Sequence, residues 1–256
     1  MVIKAEDFAA TADKAYTERW GYIWATAGEL WTEKKQEELV KNYKSDPGKY
    51  SDYELGAKVG SKWIGHRVAD CSGLVKWAAA QLGLKGIYHG SNSQFSKNCI
   101  KTGKIEKGAK IPIGALIFTG TEPGRHNHVG ILIKETCVLE AKGTVAGVTH
   151  TPLSNKKWTY WGLLKGVSYD GTADEAPAPA TPVKPEAKRP TLRRGAKGEY
   201  VFELQTLLKK DGSELEIDGI FGPGTQSAVR AFQKRHKLQV DGIVGPKTWA
   251  ELLKLE

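Results

Sequence analysis

The chain has 256 residues, 40% of them hydrophobic and 26% charged, with a formal net charge of +9. This composition excludes wholesale disorder, and the length suits one medium domain plus one small one. No run of about eighteen apolar residues occurs, which excludes a membrane-spanning helix. The opening Met1-Val2-Ile3-Lys4-Ala5-Glu6-Asp7 carries acids and lacks an apolar core, so no secretory signal is expected.

To about Leu84 the chain reads helical, rich in Ala, Glu and Lys, with an aromatic cluster at Trp20-Gly-Tyr-Ile-Trp24. Leu74, Val75, Ala78 and Leu82 form a helical stripe, which places Asp70, Cys71 and Ser72 at that helix's N-terminus. Beyond it the texture changes. Ile111 to Phe118, Val129 to Ile133, Val138 to Ala141, Gly147 to Leu153 and Leu163 to Tyr169 are short β-prone runs between turn residues. Helices first and strands afterwards predict an α+β domain with an antiparallel sheet over residues 1–170. Residues 171–190 hold five of the eleven prolines and almost no large apolar side chain, so they are expected to form an extended, semi-stiff tether. Residues 191–256 contain a repeat, Asp218-Gly-Ile-Phe-Gly-Pro-Gly-Thr225 and Asp241-Gly-Ile-Val-Gly-Pro-Lys-Thr248. Each copy reads as a turn with proline in the first turn of the helix that follows. With the stripe Val201, Leu204, Leu207 and Leu208, this predicts a small all-α three-helix domain.

Three cysteines, Cys71, Cys99 and Cys137, are too few for a disulfide framework and lack C-x-x-C pairing. Cys71 differs from the others by its place. A thiol at a helix N-terminus faces unpaired N–H groups and the positive end of the dipole, which favour thiolate. A nucleophile needs a base, and His128 opens the run His-Val-Gly-Ile-Leu-Ile. The base needs an orienting acceptor, and Glu140 interrupts the apolar run Cys137-Val-Leu-Glu-Ala. His128 and Glu140 share a sheet face only if an odd number of residues joins their strands, and an odd loop is expected near Glu135 to Cys137. Equally, Cys71 reads as a small buried hydrophobe and Asp70 or Ser72 as a plain helix cap. A zinc site of His126, His128 and Cys71 is not expected, because the two rings are expected on opposite faces of the strand. No metal or other cofactor is implied.

Asp70-Cys71-Ser72-Gly73, Ile113-Gly-Ala-Leu-Ile-Phe118, His128-Val-Gly-Ile and Glu140-Ala-Lys-Gly together resemble the NlpC-type, papain-like cysteine peptidases over roughly residues 15–169. The resemblance implies a bacterial hydrolase of peptidoglycan stem peptides, with Cys71 as nucleophile and His128 as base. Glu140 stands in the third place, where the family often has histidine. Gly21-Tyr22-Ile-Trp24 resembles the family's tyrosine motif, with Trp63-Ile-Gly65 as a competing match. The implied substrate contacts are Tyr22, Asp70 and Ser72; His89 is more simply a turn residue. The C-terminal pattern Gly195-x-x-Gly198-x-x-Val201-x-x-Leu204-Gln205, the two Asp-Gly turns, Phe232-Gln233 and Trp249 resembles the three-helix peptidoglycan-binding domain of wall hydrolases.

The expected activity is therefore a γ-D-glutamyl–diamino acid endopeptidase. An N-acetylmuramoyl-L-alanine amidase and a non-catalytic wall-binding protein are the alternatives. Bacterial peptidoglycan is the expected partner, and the basic balance (pI about 9.3) suits an anionic wall. Lys and Arg are dispersed and no nucleic-acid motif occurs, so neither nucleic-acid binding nor stable membrane insertion is expected. Without a signal, the setting implied is an endolysin, made in the host cytoplasm and given holin-dependent access to the cell wall.

Overall fold

The computed structural model describes residues 2–45, 51–121, 125–169, 189–196, 199–215 and 219–255. The chain divides into two compact units, residues 1–182 and 183–256. Most of the proline-rich stretch read as a tether, and Asp218 of the first repeat, lie outside the described residues.

The first unit begins with β1 (Ile3–Lys4) and α1 (Ala5–Thr17), then β2 (Ala27–Leu30), α2 (Glu33–Ser45), α3 (Ser51–Val59), β3 (Arg67–Ala69) and α4 (Cys71–Gln81). A short α5 (Ser91–Ser93) runs into a π-helical turn, Gln94–Asn98. Next come β4 (Cys99–Lys104), β5 (Leu116–Gly120), β6 (His126–Lys134), β7 (Cys137–Gly143), β8 (Gly147–Pro152), β9 (Trp158–Leu164) and β10 (Val167–Ser168). Six strands form one antiparallel sheet in the order β4-β9-β5-β6-β7-β8.

Strand alternation sends Leu116, Phe118, Val129, Ile131, Leu139, Ala141 and Tyr160 to the face covered by α1 and α4. The helices meet them with Phe8, Ala12, Leu74, Val75 and Ala78, all buried. Ile117, Leu132, Val138 and Trp158 form a smaller apolar cluster on the other face. Removing these side chains from water is the main driving force for the assembly. β1 pairs in parallel with β10, so Ile3 opposite Val167 ties the start of the unit to its end.

The α+β order holds, but the strand boundaries shift. The nominally helical N-terminal region contains β2 and β3, which pair with each other. β4 was not expected, and β9 begins at Trp158 rather than Leu163. Lys101, Gly103 and Lys104 dilute the apolar alternation of β4; its partner β9, distant in sequence, makes it a strand.

In the second unit, α6 (Glu199–Lys210), α7 (Pro223–Arg235) and α8 (Pro246–Leu252) enclose Val201, Leu204, Leu208, Phe221, Val229, Phe232, Trp249 and Leu252. Pro223 and Pro246 stand in the first turns of α7 and α8, where a missing N–H costs nothing. The repeat rests on two buried glutamines. Gln205 accepts from the Gly219 N–H at 2.6 Å and donates to the Ile220 carbonyl and Thr225 Oγ1 at 3.0 Å. Gln233 does the same for Gly242, Ile243 and Thr248. Each amide satisfies turn groups that burial would otherwise strand. Arg189 pairs with Glu203, and Pro190 accepts from the Trp249 indole at 3.0 Å. Arg189 and Pro190, the last two residues read as tether, thus contact this unit.

Candidate active site

The N-terminus of α4 is built on Asp70. Its carboxylate, only 3% exposed, caps the helix by accepting from the Gly73 N–H at 2.7 Å. It also accepts from Ser72 Oγ at 2.9 Å and the Ala25 N–H at 2.9 Å, and bonds His89 Nε2 at 2.7 Å. Burial pushes the Asp70 carboxyl up, but the charge and hydrogen bond of His89 and the hydrogen bonds from Gly73 and Ser72 hold it below its ordinary value. A side chain at Gly73 would lie 1.9 Å from the Thr26 carbonyl, so only glycine lets α4 seat against that loop. Cys71 is the first residue of the helix, half-buried, and packs against the helix-side core. α4 itself packs on β6 and β7.

His128 and Glu140 meet. His128 Nε2 lies 2.6 Å from Glu140 Oε2, and the carboxylate is fully buried. The loop between β6 and β7 holds two residues, Glu135 and Thr136, not the odd number expected. A bulge corrects the parity. Ile131–Leu139 and Leu132–Val138 pair in one register and Lys134–Cys137 in the next, so Ile133 is the extra residue. β6 and β7 pair from Lys134–Cys137 back to Ile131–Leu139. His128 and Glu140 stand beyond the last of these pairs.

His126 and His128 do diverge, but for a reason a regular strand would not supply, since residues two apart on a strand share a face. The β5–β6 register shifts between Thr119–His128 and Gly120–His126, making Asn127 a bulge. His126 turns into the helix-side core, 4.0 Å from the Phe95 ring, where burial lowers its proton affinity against a hydrogen bond with the Thr119 carbonyl. His128 instead stacks on Trp158, with ring centres 5.8 Å apart.

Of the expected substrate contacts, Tyr22 lies in the core at 5% exposure, and Asp70 and Ser72 spend their polar atoms on the bonds above. The other two thiols are chemically quieter: burial pushes Cys99 up, and Cys137 as well, helped by Asp13 and opposed by Lys134.

Residues 50–166 match the NlpC/P60 family, and residues 197–252 match the peptidoglycan binding domain family. The chain carries an NlpC/P60 domain followed by a peptidoglycan-binding domain. The chain is 48% identical over 64 residues to a spore cortex-lytic enzyme of Bacillus cereus, a match covering 25% of each protein. The chain therefore spans about a quarter of the length of the curated relatives it matches. It is also similar to the SleB N-terminal domain, with 46% identity over 26% of this chain and 92% of that one, and a TM-score of 0.25. The peptidoglycan hydrolase RipB from Mycobacterium tuberculosis shares 23% identity over 62% of this chain and 65% of its own, with a TM-score of 0.39.

Within the NlpC/P60 domain, sequence reasoning missed the groups that complete the Glu140 site. Thr151 on β8 donates to Oε1, and Lys157 Nζ lies 2.7 and 2.6 Å from the two oxygens. Burial pushes the Glu140 carboxyl up, but the bonds from His128, Lys157 and Thr151 and the charge of His128 outweigh it and hold the group at about 2. A carboxyl depressed from 4.5 to about 2 stabilises the fold above pH 4.5 by about 3 kcal/mol, and this is lost as pH falls toward 2. Equilibrium unfolding of wild type and Glu140→Gln should therefore show a stability gap that narrows between about pH 6 and pH 3. A constant gap would contradict the depressed carboxyl. Among the described residues, no group of three or more His, Cys, Asp or Glu is placed to hold a metal ion, and no helix is long and apolar enough to cross a membrane.

Proposed function

We propose that the protein hydrolyses peptidoglycan by cysteine catalysis, cutting the γ-D-glutamyl bond to the diamino acid of the stem peptide. The observation that carries this reading is the buried His128–Glu140 pair on β6 and β7, the strands on which the helix opened by Cys71 packs. Glu140 holds Nε2, so Nδ1 is the ring nitrogen available to serve Cys71 in this mechanism. The two family matches support the substrate class. The resemblance of the catalytic residues to stem-peptide hydrolases supports the choice of bond.

Cys71 attacks as thiolate, favoured by the α4 dipole and an imidazolium at His128. The sulfur adds to the amide carbonyl, and the Cys71 N–H at the helix N-terminus stabilises the oxyanion. His128 passes its proton to the leaving amine as the C–N bond breaks. A water, deprotonated by the same ring, then releases the thioester as a carboxylate and restores the thiolate. Asp70 and Ser72 serve this point through the α4 N-terminus they build, and Tyr22 packs in the helix-side core against which Cys71 also lies.

The peptidoglycan-binding domain holds the enzyme on the polymer, which raises the local concentration of scissile bonds. Removing residues 173–256 should lower turnover of intact sacculi by about 10-fold or more while leaving a small soluble stem peptide nearly unaffected. Equal losses on both substrates would contradict this division of labour. Mass spectrometry of digested purified peptidoglycan tests the reaction itself: new amino termini on the diamino acid are expected, and free stem peptides beginning with L-alanine would instead identify an amidase.

A further inference from the structure

Lys157 ends the turn before β9, its backbone fixed by a 3.1 Å bond from its own N–H to Asn155 Oδ1. Its ammonium group touches both Glu140 oxygens and lies 4.4 Å from the centre of the Trp158 ring. His128 bonds the same carboxylate through Oε2 and stacks on the same indole. One carboxylate is thus shared between a permanent cation and an imidazole, and one indole touches both. The groups in contact with His128 are Glu140 from β7 and Trp158 from β9; Lys157, just before β9, and Thr151 from β8 complete the carboxylate's shell.

We propose that Lys157 is a positioning residue of the catalytic pair: it clamps Glu140 on the His128 ring and offsets the carboxylate's charge, so that the ring is oriented without being locked in its protonated form. The proposal rests on the catalytic reading of His128. Two opposite charges in a buried site nearly cancel at a neighbour's distance, whereas a lone buried carboxylate would hold a proton on the adjacent ring strongly. An imidazolium too tightly held would donate poorly to the leaving amine and release its proton only at higher pH. The bidentate contact also limits the rotamers of Glu140, so its second oxygen stays aimed at Nε2.

The test uses the full-length protein with Lys157→Met and Lys157→Gln, which remove the charge, and Lys157→Arg, which keeps it. The alkaline midpoint of the kcat/KM profile on a soluble stem peptide should move up by about one pH unit in both neutral variants and stay in place in Lys157→Arg. The His128 ring, followed by nitrogen NMR in the same proteins, should titrate with the same displacement. If neither the ring nor the rate profile moves in the neutral variants, the role given to Lys157 is overturned. If the ring moves and the rate profile does not, Lys157 does tune the pair, and it is the catalytic assignment of His128 that falls.

Discussion

Cys71→Ala should lower the release of soluble peptides from purified peptidoglycan by about 10⁴-fold or more, with binding to the same walls unchanged. The size follows from the role: without the sulfur no acyl-enzyme forms, and only the oxyanion donors and binding contacts remain. Cys71→Ser should be nearly as inactive, because a hydroxyl is far harder to ionise than a thiol in the same helix-end field. Quantified peptide release, set beside a wall-pelleting assay, makes the comparison. Full lytic activity in Cys71→Ala would remove Cys71 from the mechanism. Cys99→Ala and Cys137→Ala serve as controls, since burial disfavours the thiolate at both positions.

Glu140→Gln should cost about 10²- to 10³-fold in kcat/KM on a soluble stem peptide. The substitution preserves volume but removes the charge that orients His128 from 2.6 Å. A glutamine can also turn its NH₂ toward Nε2, which selects the wrong tautomer and leaves the ring unable to exchange a proton with Cys71. The Lys157 cation would then lack its buried partner, but at 31% side-chain exposure it can turn to solvent, so the fold should survive. Activity within about threefold of wild type would remove Glu140 from the mechanism.

The place of Cys71 was legible in the chain because it depends on local physics. A stripe of Leu74, Val75 and Ala78 requires a helix, Asp70 caps it, and the first residue inside must be Cys71. The three-helix C-terminal domain was legible for the same reason: turn, proline and apolar stripe follow one another within each repeat. Even Gly73 had a readable identity, though its cause, the Thr26 carbonyl pressed against it, is a contact from another segment.

Three features were not legible. Whether His128 and Glu140 share a face turned on one bulged residue, Ile133, and no propensity distinguishes a bulge there from a longer loop. The separation of His126 from His128 turned on a second bulge at Asn127. The partners of the two carboxylates came from outside their own segments: His89 reaches Asp70 from the loop after α4, and Lys157 reaches Glu140 from the turn before β9. Sequence by itself determined which helix end carries the sulfur, since periodicity and capping act over a few neighbouring residues. Only the tertiary structure decided which charges surround the imidazole, because strand register and cross-sheet contacts are set by packing the whole sheet at once.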